Sequence, residues 1–235
     1  MSYQNGPPKI VTDGLVLMLD PIISKSYPGS GNTLYDLSGH GNNGTIYGAT
    51  YWSDGRGCFN FDGDTNNIWM AVPDNLQIFG NKTIDIWFKH HPINGDAEGA
   101  LIRVGLGADL LYSLFAVRYT TRYLKFHWYN NGFPSITSTT NLYNLGEWTM
   151  GSVVIDGTTC YFYINGSSAG SGTVSTPSPS SASRLGIGAT RWAQYPGTTA
   201  QDFGGNIASV KIYDRALSAT EIVQNYNATK YRFGL

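Results

Sequence analysis

The sequence predicts an all-β fold, an antiparallel jelly-roll sandwich of two sheets with one short C-terminal helix. Three observations lead there. Apolar and aromatic residues alternate with polar ones in short runs, and Gly-, Asn- and Asp-rich turn signals separate these runs. A capping box close to the C-terminus, Ser218-Ala219-Thr220-Glu221, marks the one convincing helix. The chain has 235 residues, with 29 Gly, 16 Tyr and 6 Trp, which gives the length and turn supply of one large β domain.

Residues 1–13 are polar, carry Pro7-Pro8 and read as an extended arm that is free or docks onto a neighbouring subunit. LVLML at 15–19 is apolar on both faces and reads as a central strand. The stretch 36–44, DLSGHGNNG, then forms an ordered loop between apolar flanks. Its many backbone groups must be paired, either by Asx-turns or by a cation such as calcium. CFNFD at 58–62 alternates, with Phe59 and Phe61 on one side. NIWMAV at 67–72 is a strand stopped by Pro73. TIDIWFK at 83–89 turns Ile84, Ile86 and Phe88 inward, and strands follow near 100–105 and 111–119. YLKFHWY at 123–129 places Leu124, Phe126 and Trp128 on one face, with Tyr123, Lys125, His127 and Tyr129 on the other. Asn130-Asn131-Gly132 signals a hairpin turn. Segments 148–155 and 159–164 make a hairpin across Asp156-Gly157, and Asn165-Gly166 turns the chain again. Residues 167–183, nearly all small or polar, read as a loop or weak edge segment. Strands near 184–189 and 206–213 precede the helix.

Composition excludes several functions. Net charge is −1 and charged residues make up 13%, so there is no basic field for nucleic acid and no polybasic patch for a membrane surface. The N-terminal residues lack the apolar core of a secretory signal, and no apolar run approaches the ~20 residues of a membrane span. Cys58 and Cys160 lie in separate strands and read as reduced thiols. Glycoside hydrolysis needs two flanking carboxylates. The three glutamates, Glu98, Glu147 and Glu221, are dispersed, and Asp85 has no acidic neighbour two residues away. No nucleophile elbow or phosphate loop is present. The chain therefore reads as non-enzymatic.

Two sets of binding residues remain. Tyr123, His127 and Tyr129 share a strand face that suits stacking on a sugar ring, and Trp87 occupies the non-core face of its own strand. Trp192 and Tyr195, in the loop ATRWAQYPGTT, form a second aromatic patch. Cross-strand aromatic pairing or burial in a subunit interface is the competing reading. Asp62 and Asp64 gather oxygen ligands in one turn, onto which Asp20 and Asp36 could converge to hold calcium. A polar turn satisfied by its own hydrogen bonds competes with that.

The motifs GLVLMLD, YDLSGHGNNGTIYGA, FNFDG, TIDIWFK, EWTMGSVVIDGTTCYFYING, LGIG and GGNIASVKIYDRALSATEI follow one another across residues 14–225. In this order they resemble a laminin-G-like domain of the concanavalin A-like lectin/glucanase superfamily. The ending QNYNATKYRFGL is similar to the close of such domains in structural proteins of tailed bacteriophages. The resemblance implies a concave and a convex antiparallel sheet, sugar or protein binding, and in many members calcium. It divides the chain into an arm (1–13), the domain (14–228) and a tail (229–235) that, with the arm, would anchor to neighbours. It further implies a virion structural protein: a capsid decoration, head-fibre or tail-associated protein attaching to host-surface glycans. A free-standing carbohydrate-binding module is the alternative. The implied partners are other virion proteins, further copies of the chain with a trimer as the candidate, and host glycans. The implied location is the virion surface, after synthesis in the host cytoplasm without a signal peptide.

Overall fold

The computed structural model describes residues 8–54, 56–72, 76, 80–91, 98–105, 112–117, 122–128, 135–140, 143–174, 184–188 and 202–235. Strands are numbered in chain order. The first sheet contains β14 (Ser167–Thr173), β13 (Thr159–Ile164), β12 (Trp148–Asp156), β7 (Lys82–His90), β16 (Gly204–Tyr213), β5 (Cys58–Asp62) and β4 (Thr50–Trp52) in that spatial order. Its eighth strand, β1 (Leu15–Leu19), pairs with the far half of β16. The second sheet runs β11 (Ser135–Thr137), β10 (Tyr123–Trp128), β9 (Tyr112–Val117), β8 (Glu98–Val104), β15 (Arg184–Ile187), β6 (Asn67–Ala71), β3 (Gly44–Tyr47) and β2 (Thr33–Leu34). All pairings within these sheets are antiparallel.

The alternation seen in sequence sets the core. Ile84, Ile86 and Phe88 of β7 and Val153 of β12 meet Leu124 and Phe126 of β10, Ile68 and Met70 of β6, and Leu185 of β15 between the sheets. Cys160 lies with Phe162 and Ile164 in that core, and burial raises its thiol far above the usual range, as an inert structural cysteine requires. The helix α1 (Ala219–Thr229) opens with the expected capping box. Ser218 Oγ accepts the Glu221 N–H, and Glu221 accepts the Ser218 N–H.

One strand expectation changes. LVLML is not central: β1 pairs on one side only, end to end with β5 along the same edge of β16. Its other edge is sealed by the glycine-rich loop. Leu37 N–H donates to Met18 O, Met18 N–H donates to Asp36 Oδ1, and Val16 O accepts from Ser38 Oγ and Asn42 Nδ2. An exposed strand edge invites pairing with another chain, and this loop removes it. The first part of the 167–183 segment forms the edge strand β14, in keeping with its reading as a weak edge segment, while 175–183 lie outside the described residues.

Residues 8–13 of the arm, the part that is described, and the tail pack on their own domain. Val11 N–H donates to Asn225 Oδ1, Val11 O accepts the Tyr213 hydroxyl, and Lys9 O accepts from Gln224 Nε2. Lys230–Phe233 form a 3₁₀ turn after α1. Arg232 there reaches Asp20 at 2.6 Å and donates to the carbonyls of Arg56 and Gly57. Together α1, the turn and residues near Val11 cover the outer face of the first sheet, forming a second apolar cluster over Trp87, Met150 and Val154.

Candidate functional site

That cover decides the fate of Trp87. The sequence places it correctly on the face away from the main core, but the face is occupied. Trp87 is 1% exposed, stacks on Phe233 at 4.1 Å and donates through Nε1 to Thr229 Oγ1 at 2.9 Å. It cannot touch a ligand and is not a binding residue. Tyr129, Trp192 and Tyr195 lie outside the described residues.

The four aspartates do not come together. Among the described residues, no group of three or more His, Cys, Asp or Glu could hold a metal ion. Each carboxylate has a local task instead. Asp20 is buried against Arg232. Asp36 accepts from Met18 N, Ser38 N, Ser38 Oγ and Asn42 N at 2.7–3.0 Å, which fixes the loop on β1. Asp62 accepts the N–H groups of Asp64, Thr65 and Asn66, each at 3.0 Å, on one oxygen. Burial pushes the Asp62 carboxyl up, but these donors outweigh it and hold the group below its ordinary value. The oxygen-rich turns are thus built on backbone donors, where a cation would need free acceptors.

Tyr123 and His127 remain, on the outer face of the second sheet, and the register there assembles more than the sequence singled out. One row crosses the sheet: Thr45 faces Trp69, Trp69 faces Gly186, Gly186 faces Arg103, Arg103 faces Ser113, and Ser113 faces His127. Directly paired residues share a face, and Ile68 and Met70 on either side of Trp69 point into the core. Trp69 therefore points outward. Tyr47 stacks on it with centroids 5.8 Å apart, and the Arg184 guanidinium lies over its ring at 5.5 Å. Beyond Arg103, Lys125 Nζ holds Glu98 Oε1 at 2.6 Å. Tyr123 leans on Ala100.

Burial drives the His127 imidazole down to about 4, helped by the positive charges of Lys125 and Arg103 and opposed by Glu98. His127 is therefore neutral at pH 7, with one ring nitrogen donating and the other accepting. Burial also lowers Arg103, while Asp202 acts through space to raise it. The face thus combines aromatic rings, guanidinium donors and a neutral imidazole, the groups that recognise hydroxyls and anionic substituents around an apolar ring.

The fold and the family can be placed from comparison. A family model described as the concanavalin A-like lectin/glucanases superfamily, of laminin G type, matches residues 61–223. The chain belongs to this superfamily. No curated protein sequence matches it. Among solved structures, this lectin-like chain is similar to the binding domain of botulinum neurotoxin serotype D, at TM-score 0.67 and 16% identity, over 92% of this chain and 52% of the other. It is similar to the binding domain of Paraclostridial Mosquitocidal Protein 1, at TM-score 0.67 and 17% identity, over 92% and 52%. It is also similar to the binding domain of botulinum neurotoxin DC in complex with rat synaptotagmin II, at TM-score 0.70 and 14% identity, over 94% and 53%. At these identities the likeness is one of fold. The chain spans about half the length of these structures.

The sequence missed Trp69, Arg103, Arg184 and Gly186. A signal existed for Trp69, because strict alternation in NIWMA opposes it to Ile68 and Met70.

Proposed function

We propose that this chain is a non-enzymatic, lectin-like binding domain whose ligand face is the outer surface of the second sheet, and that it attaches a virion to host-surface glycans. The observation that carries the reading is the row Trp69–Gly186–Arg103–His127, flanked by Tyr47, Tyr123 and Arg184, on a sheet face where these residues keep part of their surface accessible. The middle of the first sheet's outer face, by contrast, is covered by α1 and the C-terminal turn. The fold neighbours support a binding role, since they are named as binding or receptor-binding domains and one is in complex with a protein.

The absence of catalysis is part of the proposal. Glu98 is held by Lys125, Glu147 accepts from Asn144, and Glu221 is taken by Arg215 and the helix cap. A glycosidase would need two such carboxylates about 5–9 Å apart across a bond. The virion context rests on the resemblance of the C-terminal sequence to phage structural proteins. It makes other virion proteins, and further copies of this chain, the neighbours, and the virion surface the location. A glycan array probed with the wild type and with Trp69→Ala tests the binding reading. We expect selective signals lost in the variant, and an array on which the wild type binds nothing would overturn it. Electron microscopy of the assembled particle tests the context. Density for the sandwich at the capsid or tail surface supports it, and a particle lacking the chain refutes it.

A further inference from the structure

Arg103 is the residue on this face that the fold does not explain. It sits mid-strand in β8, between the core residues Ile102 and Val104. Among the described residues its guanidinium makes no hydrogen bond or ion pair, and its Nε is buried without a partner. Asp202 influences it only through space. The side chain is partly buried, and a buried polar atom such as this Nε is costly without an acceptor, so native proteins satisfy nearly all of them. Lys125, on the same face, shows the ordinary solution by pairing with Glu98.

Gly186 lies directly beside Arg103 and directly beside Trp69. Its backbone does not demand glycine, since it is not among the residues of positive φ. It lies in a strand that pairs on both sides, yet keeps part of its small surface accessible. With no side chain at Gly186, β15 itself places nothing between Trp69 and Arg103 in this row, a slot one strand wide. Trp69 and Arg103 stand on either side, with backbones about 10 Å apart, twice the spacing of neighbouring strands. Arg184, two residues before Gly186 on the same strand face, leans over Trp69 from the next row. The slot has an apolar wall, a glycine floor and an unpaired cation opposite.

We infer that this slot takes a carboxylate-bearing sugar unit, with the ring over Gly186 against Trp69 and the carboxylate on Arg103. A guanidinium matches a carboxylate with two parallel N–H donors, and a partly dry site strengthens that pairing. A neutral sugar would leave Arg103 as unsatisfied as it is without ligand. The inference rests on the glycan-binding reading above and narrows it to acidic glycans, either sialic acid-type or uronic acid-type.

The test is calorimetric titration of the whole chain with sialyllactose and with a hyaluronan oligosaccharide, against lactose and a cello-oligosaccharide as neutral controls. The two acidic probes separate the two sugar sources. We expect at least one acidic probe to bind about tenfold or more tightly than its neutral counterpart, as a charge-assisted hydrogen bond implies. Arg103→Met should abolish that preference, and Gly186→Val, which fills the slot with a strand-compatible side chain, should remove binding of that probe. Arg103→Met should also leave Tm unchanged or raised, because it deletes a partly buried charge that has no partner among the described residues. A structural arginine would instead lower Tm on substitution. Equal affinity for acidic and neutral probes overturns the inference while leaving glycan binding intact. An acidic preference that survives Arg103→Met overturns it as well. Binding to no glycan overturns both readings.

Discussion

Replacing Asp36 with alanine removes one carboxylate and loosens the loop that seals β1, leaving it held through Met18 O and Val16 O. Four donors lose their acceptor: Met18 N at 2.9 Å, Ser38 N at 2.9 Å, Ser38 Oγ at 2.7 Å and Asn42 N at 3.0 Å. Hydrogen bonds to a charged acceptor contribute about 1.5–3 kcal/mol each in favourable sites. Asp36 is only partly buried, and water can replace it at the loop donors, so the four do not sum. The Met18 N–H, on the strand edge, is the one left poorly solvated. A loss of about 2–4 kcal/mol follows. For a chain of this size that is about 4–16 °C in Tm. Thermal unfolding followed by circular dichroism, with and without calcium, measures it. The structure ties the loop through backbone donors, so calcium or a chelator should leave the wild-type Tm in place. A variant within about 1 °C of wild type, or a wild type that loses several degrees on chelation, would falsify this reasoning.

Arg232→Ala strands Asp20, which is 5% exposed, without its charge partner and unpins the C-terminal turn. Breaking such a pair costs about 3–5 kcal/mol, readable as a lower urea midpoint; an unchanged midpoint would mean that the turn does not hold the outer layer. His127 makes stability pH-dependent. Its folded value is about 4, below the ordinary 6.5, so the unfolded chain binds the proton first as pH falls. Stability is full above about pH 6.5 and declines down to about pH 4, and His127→Gln should flatten that part of the Tm–pH curve. Gly188 has φ +80°, and a Cβ there would sit 2.2 Å from Phe61 Cδ1. Gly188→Ala should therefore cost more than about 2 kcal/mol in denaturant unfolding, and a neutral result would mean that β15 enters the core differently.

Local pattern carried most of the fold. Ile84, Ile86 and Phe88, Leu124, Phe126 and Trp128, and the Ser218–Glu221 cap all land where alternation and capping chemistry place them. Those features depend on neighbours within a few residues. The site depends on pairing between distant segments. Alternation assigns Trp87 to an outward face but does not say what lies over that face, and residues more than 130 positions later, Tyr226 and Phe233, cover it. Arg103 reads in sequence as a polar interruption among Leu101, Ile102 and Val104. It gains meaning only when β15 brings Gly186, and through it Trp69, alongside. The aspartate turns are ambiguous in sequence for a related reason. The same oxygen-rich composition serves a cation or a set of backbone donors, and only the geometry separates the two.

Glycan binding by the outer face of the second sheet is most directly tested by one comparison on the same glycan array, between the wild-type chain and Trp69→Ala. Trp69 lies outside the main core, so the variant should fold with a near-native Tm. We expect it to lose binding to every glycan that the wild type retains. Undiminished binding by a folded Trp69→Ala chain would place the site elsewhere on the molecule.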